Sequence, residues 1–310
     1  MNVSHTAVSI VGSTIGQINF NQKGESDSTN DGTVSETETD RGTVETVGET
    51  EGGTNETENS QANGSNASGL YQRGSNKSQV LIICNFADKD LIGYKEDVKM
   101  LENMWEEFGC NVTVQKNLSA ESMDLIVLKF ATDTCTGNES FVAVFVLSHG
   151  EKEDLIVGAD KKTISVSEIL KRFNNENRNL QHIPKLFFFQ ICRGGISDQG
   201  EENTQAAYVQ KKPPLKLPQV CDTLVTYASQ KETRSYVSEN HGSWFIQAII
   251  EVFQENARRM HVVDMLTMVN DKMAEEMVKN STDTSILGAK AMSEFTSTLR
   301  RKLYIFGGPQ

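Results

Sequence analysis

The chain has 310 residues, with 30 Lys and Arg against 42 Asp and Glu, which gives a formal net charge of −12 at pH 7. This negative balance argues against a nucleic-acid-binding protein, because phosphate backbones are bound through an excess of Lys and Arg. The sequence has no run of about 18 apolar residues that could span a membrane and no secretory signal at its N-terminus. It therefore predicts a cytoplasmic protein that contacts neither membranes nor nucleic acid.

The five cysteines are odd in number and irregularly spaced. No Cys-x-x-Cys pair or Cys/His cluster indicates a metal site, so we expect reduced thiols, no metal and no other cofactor. Cys84, Cys110 and Cys221 adjoin predicted strands or a helix and are expected to pack in the core. Cys135 lies in a polar loop and is expected to be exposed.

Residues 1–78 differ in composition from the rest of the chain, being acidic and rich in Thr, Glu, Gly, Asn and Ser. They carry 4 Lys and Arg against 11 Asp and Glu, a net charge of −7. So little apolar surface cannot offset the entropy of ordering the backbone, and we predict a disordered N-terminal tail.

Within this tail, residues 5–24 are β-prone and nearly uncharged, and such segments can stack into cross-β assemblies. Residues 15–19, Ile-Gly-Gln-Ile-Asn, loosely resemble the Ile-Gln-Ile-Gly core of RIP homotypic interaction motifs, although the order of the residues differs. Two interpretations stay open. The segment is either a motif through which copies of the chain assemble or a tail with a few chance apolar residues. The second interpretation is favoured, because short sequence motifs often match by chance.

From residue 79 onward, continuous apolar runs predict strands that are buried on both faces, and apolar residues at helical spacing predict helices that cover them. The alternating order implies a mostly parallel sheet with helices on both faces. Ser165 and Glu168 predict a capping box, and Met277 is expected to face inward from the last helix. The predicted strands are 79–84, 111–115, 141–147, 185–189, 222–227 and 302–306, and the predicted helices are 98–108, 121–132, 165–173, 243–257 and 263–279.

Two predicted strands end in residues that can carry out chemistry. The run 141–147 opens into Ser148, His149 and Gly150, and the run 185–189 leads to Cys192. In open α/β sheets, ligands bind at the carboxyl ends of parallel strands. If these two strands are neighbours, His149 and Cys192 meet at one edge as a base and a cysteine nucleophile.

The residues around this cysteine carry a family resemblance. Residues 190–194, Gln-Ile-Cys-Arg-Gly, resemble the Gln-Ala-Cys-Arg-Gly signature of caspases, and residues 148–150 are similar to the family's Ser-His-Gly. Residues 242–247, Gly-Ser-Trp-Phe-Ile-Gln, match another family motif, and residues 297–304 resemble the family's last strand. Four motifs in the right order over residues 79–307 make the resemblance specific.

The resemblance implies a caspase-like α/β fold, a six-stranded, mostly parallel sheet with helices on both faces, after the disordered tail. It also implies protein substrates and a catalytic dyad of Cys192 and His149, with the amides of Gly150 and Cys192 stabilising the oxyanion. Through its last strand the family pairs with a second protomer. This implies a homodimer, or a heterodimer with another caspase.

Caspases are cut in a linker between two subunits, and the resemblance transfers this division to the present chain. We predict a large subunit at 79–198, a linker at 199–214 and a small subunit at 215–310. Asp198 is the candidate processing site, because no other Asp lies between Cys192 and Asp222.

The predicted substrate pocket departs from the family, which holds an Asp side chain with two arginines and the Gln of the signature. Gln190 is present, and Ser235 and Tyr236 are the other predicted substrate-binding residues. Alignment on neighbouring motifs places Leu91 and Val237 where the arginines stand. A buried carboxylate without a paired cation is disfavoured by several kcal/mol, so we predict weakened cleavage after Asp.

Three cations near these positions are alternatives to the missing arginines: Arg234, Lys89 and Lys95. Arg234 would need a register shift of three residues. Because the side chains of a strand alternate between its faces, such a shift turns the side chain to the other face. We therefore expect no compensation.

Two functions remain open. The first is a caspase-like cysteine endopeptidase with altered or weakened Asp specificity, acting in apoptosis or innate immune signalling. The second is a regulatory homologue, a pseudo-caspase that dimerises with an active caspase and modulates it. The replaced arginines favour the second function, whereas the presence of His149, Gly150, Gln190 and Cys192 favours the first, to which the sequence narrowly points.

Overall fold

The structure, a computed structural model, describes residues 8–11, 69–86, 92–194, 221–238, 242–279, 281 and 283–307. The helices are α1 (Ile92–Glu107), α2 (Ala120–Lys129), α3 (Val166–Lys171), α4 (Trp244–Asn256) and α5 (Val262–Glu275). The strands are β1 (Val8–Val11), β2 (Gln79–Cys84), β3 (Asn111–Lys116), β4 (Val142–Leu147), β5 (Gly150–Glu151), β6 (Leu155–Val157), β7 (Thr163–Ser165), β8 (Lys185–Gln190), β9 (Thr223–Tyr227), β10 (Ser235–Ser238), β11 (Gly242–Ser243) and β12 (Glu294–Ser297).

The central element is a six-stranded sheet in the order β12-β9-β8-β4-β2-β3. All neighbours in it are parallel except β12, which runs antiparallel to β9 at one edge. The inner strands are buried along their whole length, which explains their continuous apolar runs. The mostly parallel six-stranded sheet is therefore as predicted.

Side chains alternate between two cores, one on each face of this sheet. Phe145 and Phe188 stack at a centroid distance of 4.3 Å on the face that α1, α4 and α5 cover. Val144 and Phe187 point to the opposite face, which α2 and α3 cover. The capping box at Ser165 is also confirmed: its hydroxyl accepts from the backbone N–H of Glu168, whose carboxylate accepts from the N–H of Ser165.

Two smaller sheets lie beside the central one. The order β5-β6-β7 follows directly on β4, and the order β1-β10-β11 is antiparallel throughout. In the second of these sheets β10 lies in the middle, with β1 on one edge and β11 on the other. Among the described residues, no helix has both the length and the apolarity needed to cross a membrane.

The tail boundary predicted at residue 78 differs from the structure, which describes residues 69–78 in contact with the folded part. The hydroxyl of Tyr71 donates to Asp222 at 2.5 Å and accepts from the backbone N–H of Arg300 at 2.9 Å. These hydrogen bonds hold the segment in place despite its polar composition. Strand β1 also falls within the predicted tail, whereas Asp198 and the linker 199–214 lie outside the described residues.

Three further predictions are wrong. Residues 302–306 form no strand: Leu303 and Ile305 are buried in the core by packing, and the edge strand is β12. Cys135 is buried rather than exposed, because it follows a π-helical turn, Phe130–Thr134, that folds it against the sheet. Met277 is 39% exposed, because α5 ends before it.

Candidate active site

The parallel pairing of β4 with β8 brings the two reactive segments to one edge of the sheet. Leu147 stands opposite Gln190, and the backbone N–H of Ser148 donates to the Gln190 carbonyl at 3.2 Å. His149 and Cys192 follow these positions on adjacent loops. The structure thus brings the predicted nucleophile and base to the same carboxyl edge.

Gly150 allows these two loops to pack together closely. A Cβ atom at this position would collide with the carbonyl oxygen of Cys192 and the side chain of Ile191. Only glycine lets the backbone approach to this extent. The predicted oxyanion donors, the amides of residues 150 and 192, therefore belong to segments in direct backbone contact.

Cys192 is fully buried, and its sulfur lies against the start of β10. The backbone N–H of Ser235 donates to Sγ at 3.4 Å, and the Ser235 hydroxyl lies 3.5 Å from it. Burial raises the pKa of Cys192, while the hydrogen bonds from Ser235 and the charge of Arg234 lower it. The net shift is upward, so the described arrangement holds a protonated thiol.

Ser235 also contacts the predicted pocket residue Gln190. The Gln190 side-chain N–H donates to the Ser235 hydroxyl at 3.2 Å, and both residues are buried. The side-chain oxygen of Gln190, in contrast, has no hydrogen-bond partner among the described residues. One acceptor in this pocket is therefore left open.

Tyr94, near the start of α1, is a site residue that sequence reasoning missed. Its ring stacks on Phe86 at a centroid distance of 3.4 Å, and Phe86 meets the His149 ring edge-on at 5.1 Å. The buried hydroxyl of Tyr94 lies beside Gln190 without the geometry of a full hydrogen bond. Burial and the neighbouring Cys192 raise the pKa of Tyr94 well above its usual value, so the hydroxyl stays protonated.

The residues at the two arginine positions are only partly described. Val237 is buried in the same core cluster as Tyr94, Cys192 and Tyr236, whereas Leu91 lies outside the described residues, as does Lys89. Lys95 is exposed on α1. Arg234 is half-buried and close enough to Cys192 to lower its pKa.

Arg193, directly after the cysteine, is a second residue to which the sequence assigned no role. Its guanidinium makes a two-pronged ion pair with Asp154 at 2.6 and 3.1 Å and contacts Glu294 of β12 at 2.9 Å. It also lies over the Tyr227 ring at 3.9 Å. These contacts fix the loop that carries Cys192 to the loop after His149 and to the edge strand.

A buried carboxylate joins α1 to the segment that follows β10. The Ser243 backbone N–H donates to Asp97 at 3.0 Å and the Ser243 hydroxyl at 2.7 Å. Gly242 has φ +86°, and a Cβ atom there would collide with the Asp97 carboxylate. Burial raises the pKa of Asp97 to about 8. Among the described residues, no group of three or more His, Cys, Asp or Glu side chains is arranged to hold a metal ion.

With this geometry in place, comparison with known proteins identifies the family. The family model of the caspase domain matches residues 77–304, so the chain belongs to the caspase family. It is 30% identical over 231 residues to Caspase-14 of Homo sapiens, covering 73% of this chain and 91% of that protein.

Two other relatives are longer than the region they share with this chain. Caspase-2 of Gallus gallus is 34% identical over 248 residues, 74% of this chain and 58% of that protein. Cell death protein 3 of Caenorhabditis remanei is 33% identical over 246 residues, 69% of this chain and 46% of that protein. The chain thus spans about half the length of these two relatives.

A crystal structure of Caspase-1 from Spodoptera frugiperda has the same fold. It superposes with a TM-score of 0.68 at 24% sequence identity and covers 78% of this chain and 97% of that chain. This confirms the predicted fold class.

Proposed function

We propose that this chain is a cysteine endopeptidase in which Cys192 is the nucleophile and His149 the general acid and base. The observation that carries this proposal is the register of β4 against β8, which puts both residues on adjacent loops at one sheet edge. We place the enzyme in the cytoplasm, in apoptosis or innate immune signalling, as the family membership suggests.

The proposed chemistry proceeds in two steps. His149 takes the thiol proton of Cys192, the thiolate attacks the substrate carbonyl, and the oxyanion accepts hydrogen bonds from the amides of Gly150 and Cys192. His149 then donates the proton to the leaving amine, which leaves a thioester that water hydrolyses. Because burial raises the pKa of Cys192, the thiolate must form as an ion pair with His149 once substrate is bound.

The first pocket of this enzyme suits a neutral polar side chain. Gln190 presents an open acceptor, Tyr94 a hydroxyl and Val237 an apolar surface, all of them buried. The amide of an Asn residue could donate to Gln190 and accept from Tyr94. A carboxylate here would be repelled by the open Gln190 oxygen and would lack a paired guanidinium, so we expect poor cleavage after Asp.

The test is turnover of a peptide library varied at the residue before the scissile bond, using the full chain and mass spectrometry. A Cys192→Ala variant is the control for contaminating proteases, and a His149→Gln variant tests the base. Cleavage after Asn or other neutral residues, lost in both variants, is expected. Strong cleavage after Asp that disappears in Arg234→Gln would show instead that Arg234 supplies the missing cation.

A regulatory function is the second candidate, and one observation favours it. Cys192 is fully buried, and its thiol donates to the Ser235 carbonyl at 3.9 Å, which suits a protein that makes no thiolate. In this case the outer edge of β12, which pairs with no other strand among the described residues and where Thr296 and Ser297 are exposed, would pair with an active caspase. Modulation of a purified caspase by the full chain and by Cys192→Ala to the same degree would establish this function.

A homodimer through the same edge is the expected assembly of the endopeptidase. Sedimentation analysis of the full chain against a Ser297→Pro variant tests it. The N–H of Thr298 donates to Thr223 beside β9, and N–H groups alternate along a strand, so that of Ser297 faces the outer edge, where proline removes it. Loss of a dimer in the variant supports pairing through β12. A monomer at all concentrations, or a dimer that the proline leaves intact, contradicts it.

A further inference from the structure

The strand that begins beside Cys192 has both of its edges occupied by this chain. On one edge of β10, β11 pairs with Val237 and Ser238, and the Cys192 sulfur lies against Ser235. β1 covers the other edge, with Val8 opposite Ser238, Ser9 opposite Val237, Ile10 opposite Tyr236 and Val11 opposite Ser235. A strand has only two edges, so an extended peptide can pair with β10 only by displacing one of these segments.

The direction of β1 leads toward the nucleophile. β10 begins at Ser235, whose N–H donates to the Cys192 sulfur at 3.4 Å. Val11, the residue paired with Ser235, is therefore the end of β1 next to Cys192, and Val8 is the far end. The backbone of residues 8–11 follows the course that an extended substrate approaching Cys192 along β10 would take.

The composition of β1 suits such an occupant. Val-Ser-Ile-Val is uncharged, β-prone and free of Pro and Gly, which favours addition to an exposed strand edge through main-chain hydrogen bonds. Four residues make a short ladder that binds weakly on its own. Because they belong to the same chain, they bind intramolecularly, at an effective concentration that the length of the intervening chain sets.

From these observations we propose that residues 8–11 are an internal occupant of the β10 edge that competes with protein substrates for Cys192. The competition with substrates rests on the proposed endopeptidase function, whereas the pairing of β1 with β10 does not. Within a cross-β stack each strand pairs along both of its edges, so residues 8–11 cannot take a place inside such a stack and remain paired with β10. Assembly of copies through residues 5–24 would therefore vacate the β10 edge and raise activity.

The contact is tested first, by hydrogen–deuterium exchange of the full chain and of a Ser9→Pro/Ile10→Pro variant. Successive backbone N–H groups of a strand point to opposite edges, so one of two neighbouring residues in β1 donates toward β10. Two consecutive prolines therefore remove at least one hydrogen bond to β10. We expect the N–H groups within 235–238 that face β1 to exchange at least tenfold faster in the variant, while the N–H of Ser235, which donates to Cys192, keeps its rate. A Ser35→Pro/Glu36→Pro variant is the matched control, and unchanged exchange in β2 verifies an intact fold.

The consequence is tested by kinetics on the same three proteins. A competitor affects substrate binding only, so Ser9→Pro/Ile10→Pro should lower KM several-fold at unchanged kcat, and the control pair should change neither. Unchanged exchange at 235–238 overturns the proposal. Protection that falls on dilution also overturns it, since β1 would then come from a second copy. Absent turnover with faster exchange refutes the endopeptidase function and leaves the contact in place.

Discussion

Ser235 joins Cys192, the proposed nucleophile, to Gln190 of the proposed substrate pocket: its backbone N–H donates to the Cys192 sulfur at 3.4 Å, and its hydroxyl accepts from Gln190 at 3.2 Å. Burial raises the pKa of Cys192 and Ser235 opposes this shift. The serine thereby sets how readily the thiolate forms, as well as where the sulfur lies.

Ser235→Ala should raise the pKa of Cys192 further. The variant loses the hydroxyl at 3.5 Å from Sγ and keeps the backbone N–H, so we expect alkylation of Cys192 at pH 7 to slow by a few-fold to about tenfold. The full pH profile of iodoacetamide labelling, read by mass spectrometry, separates the pKa from access to the thiol. Ser229→Ala is the control, because among the described residues that buried hydroxyl bonds only to backbone carbonyls. A pKa that stays constant or falls would contradict the prediction.

Tyr94→Phe should stabilise the fold and impair the pocket. Its buried hydroxyl has no hydrogen-bond partner among the described residues, so removing it should raise the free energy of unfolding by about 1 kcal/mol. Turnover of an Asn peptide should fall about tenfold, while an Ala peptide is unaffected. Urea denaturation and kcat/KM check the two effects. Tyr304→Phe, which alters a partly exposed ring, should change neither, and a destabilised Tyr94→Phe would refute the first expectation.

The raised pKa of Asp97 predicts that the free energy of unfolding falls as the pH rises. Its pKa is raised to about 8 in the folded chain from a usual value of 3.8. Between these values the folded protein keeps a proton that the unfolded chain has released, so stability is greatest below pH 4 for this group and declines up to pH 8.

Urea midpoints from pH 5 to 9 measure this decline. Asp97→Asn cannot ionise, so its stability should depend less steeply on pH than that of the unmodified chain. Asp271→Asn, at an exposed position, should retain the original slope. Equal slopes for all three proteins would show that Asp97 is ionised throughout.

Arg193→Met should destabilise the loop that carries Cys192. The guanidinium side chain is 2% exposed and pairs with Asp154 and Glu294, so its loss should cost about 2–3 kcal/mol. Arg172→Met breaks the more exposed pair with Asp124 and should cost less than about 1 kcal/mol. Chemical denaturation compares the two variants. Similar losses in both would mean that the Arg193 contacts are worth no more than a surface pair.

The sequence predicted the central sheet well, because its inner strands are buried on both faces and read as continuous apolar runs. It failed at residues 302–306, where Leu303 and Ile305 alternate as in a strand and are buried in the core. The backbone of residues 302 and 303 bonds to Gly69, Tyr71 and Val262 rather than to a strand of the sheet. It missed Tyr94 as well. The role of this residue depends on Phe86, His149 and Gln190, which only the tertiary fold brings to its ring and hydroxyl.

The adjacency of β8 and β9 has a consequence for a chain cut between residues 195 and 220. These strands precede and follow that segment, yet they pair in parallel at the centre of the sheet, with Phe187 opposite Val225. A nicked chain would therefore remain one particle, separating into two bands only after denaturation. The main change would be in the unfolded state, where two free fragments have more translational entropy than one chain. Refolding would then become concentration-dependent, although the native contacts on either side of the cut were unaltered.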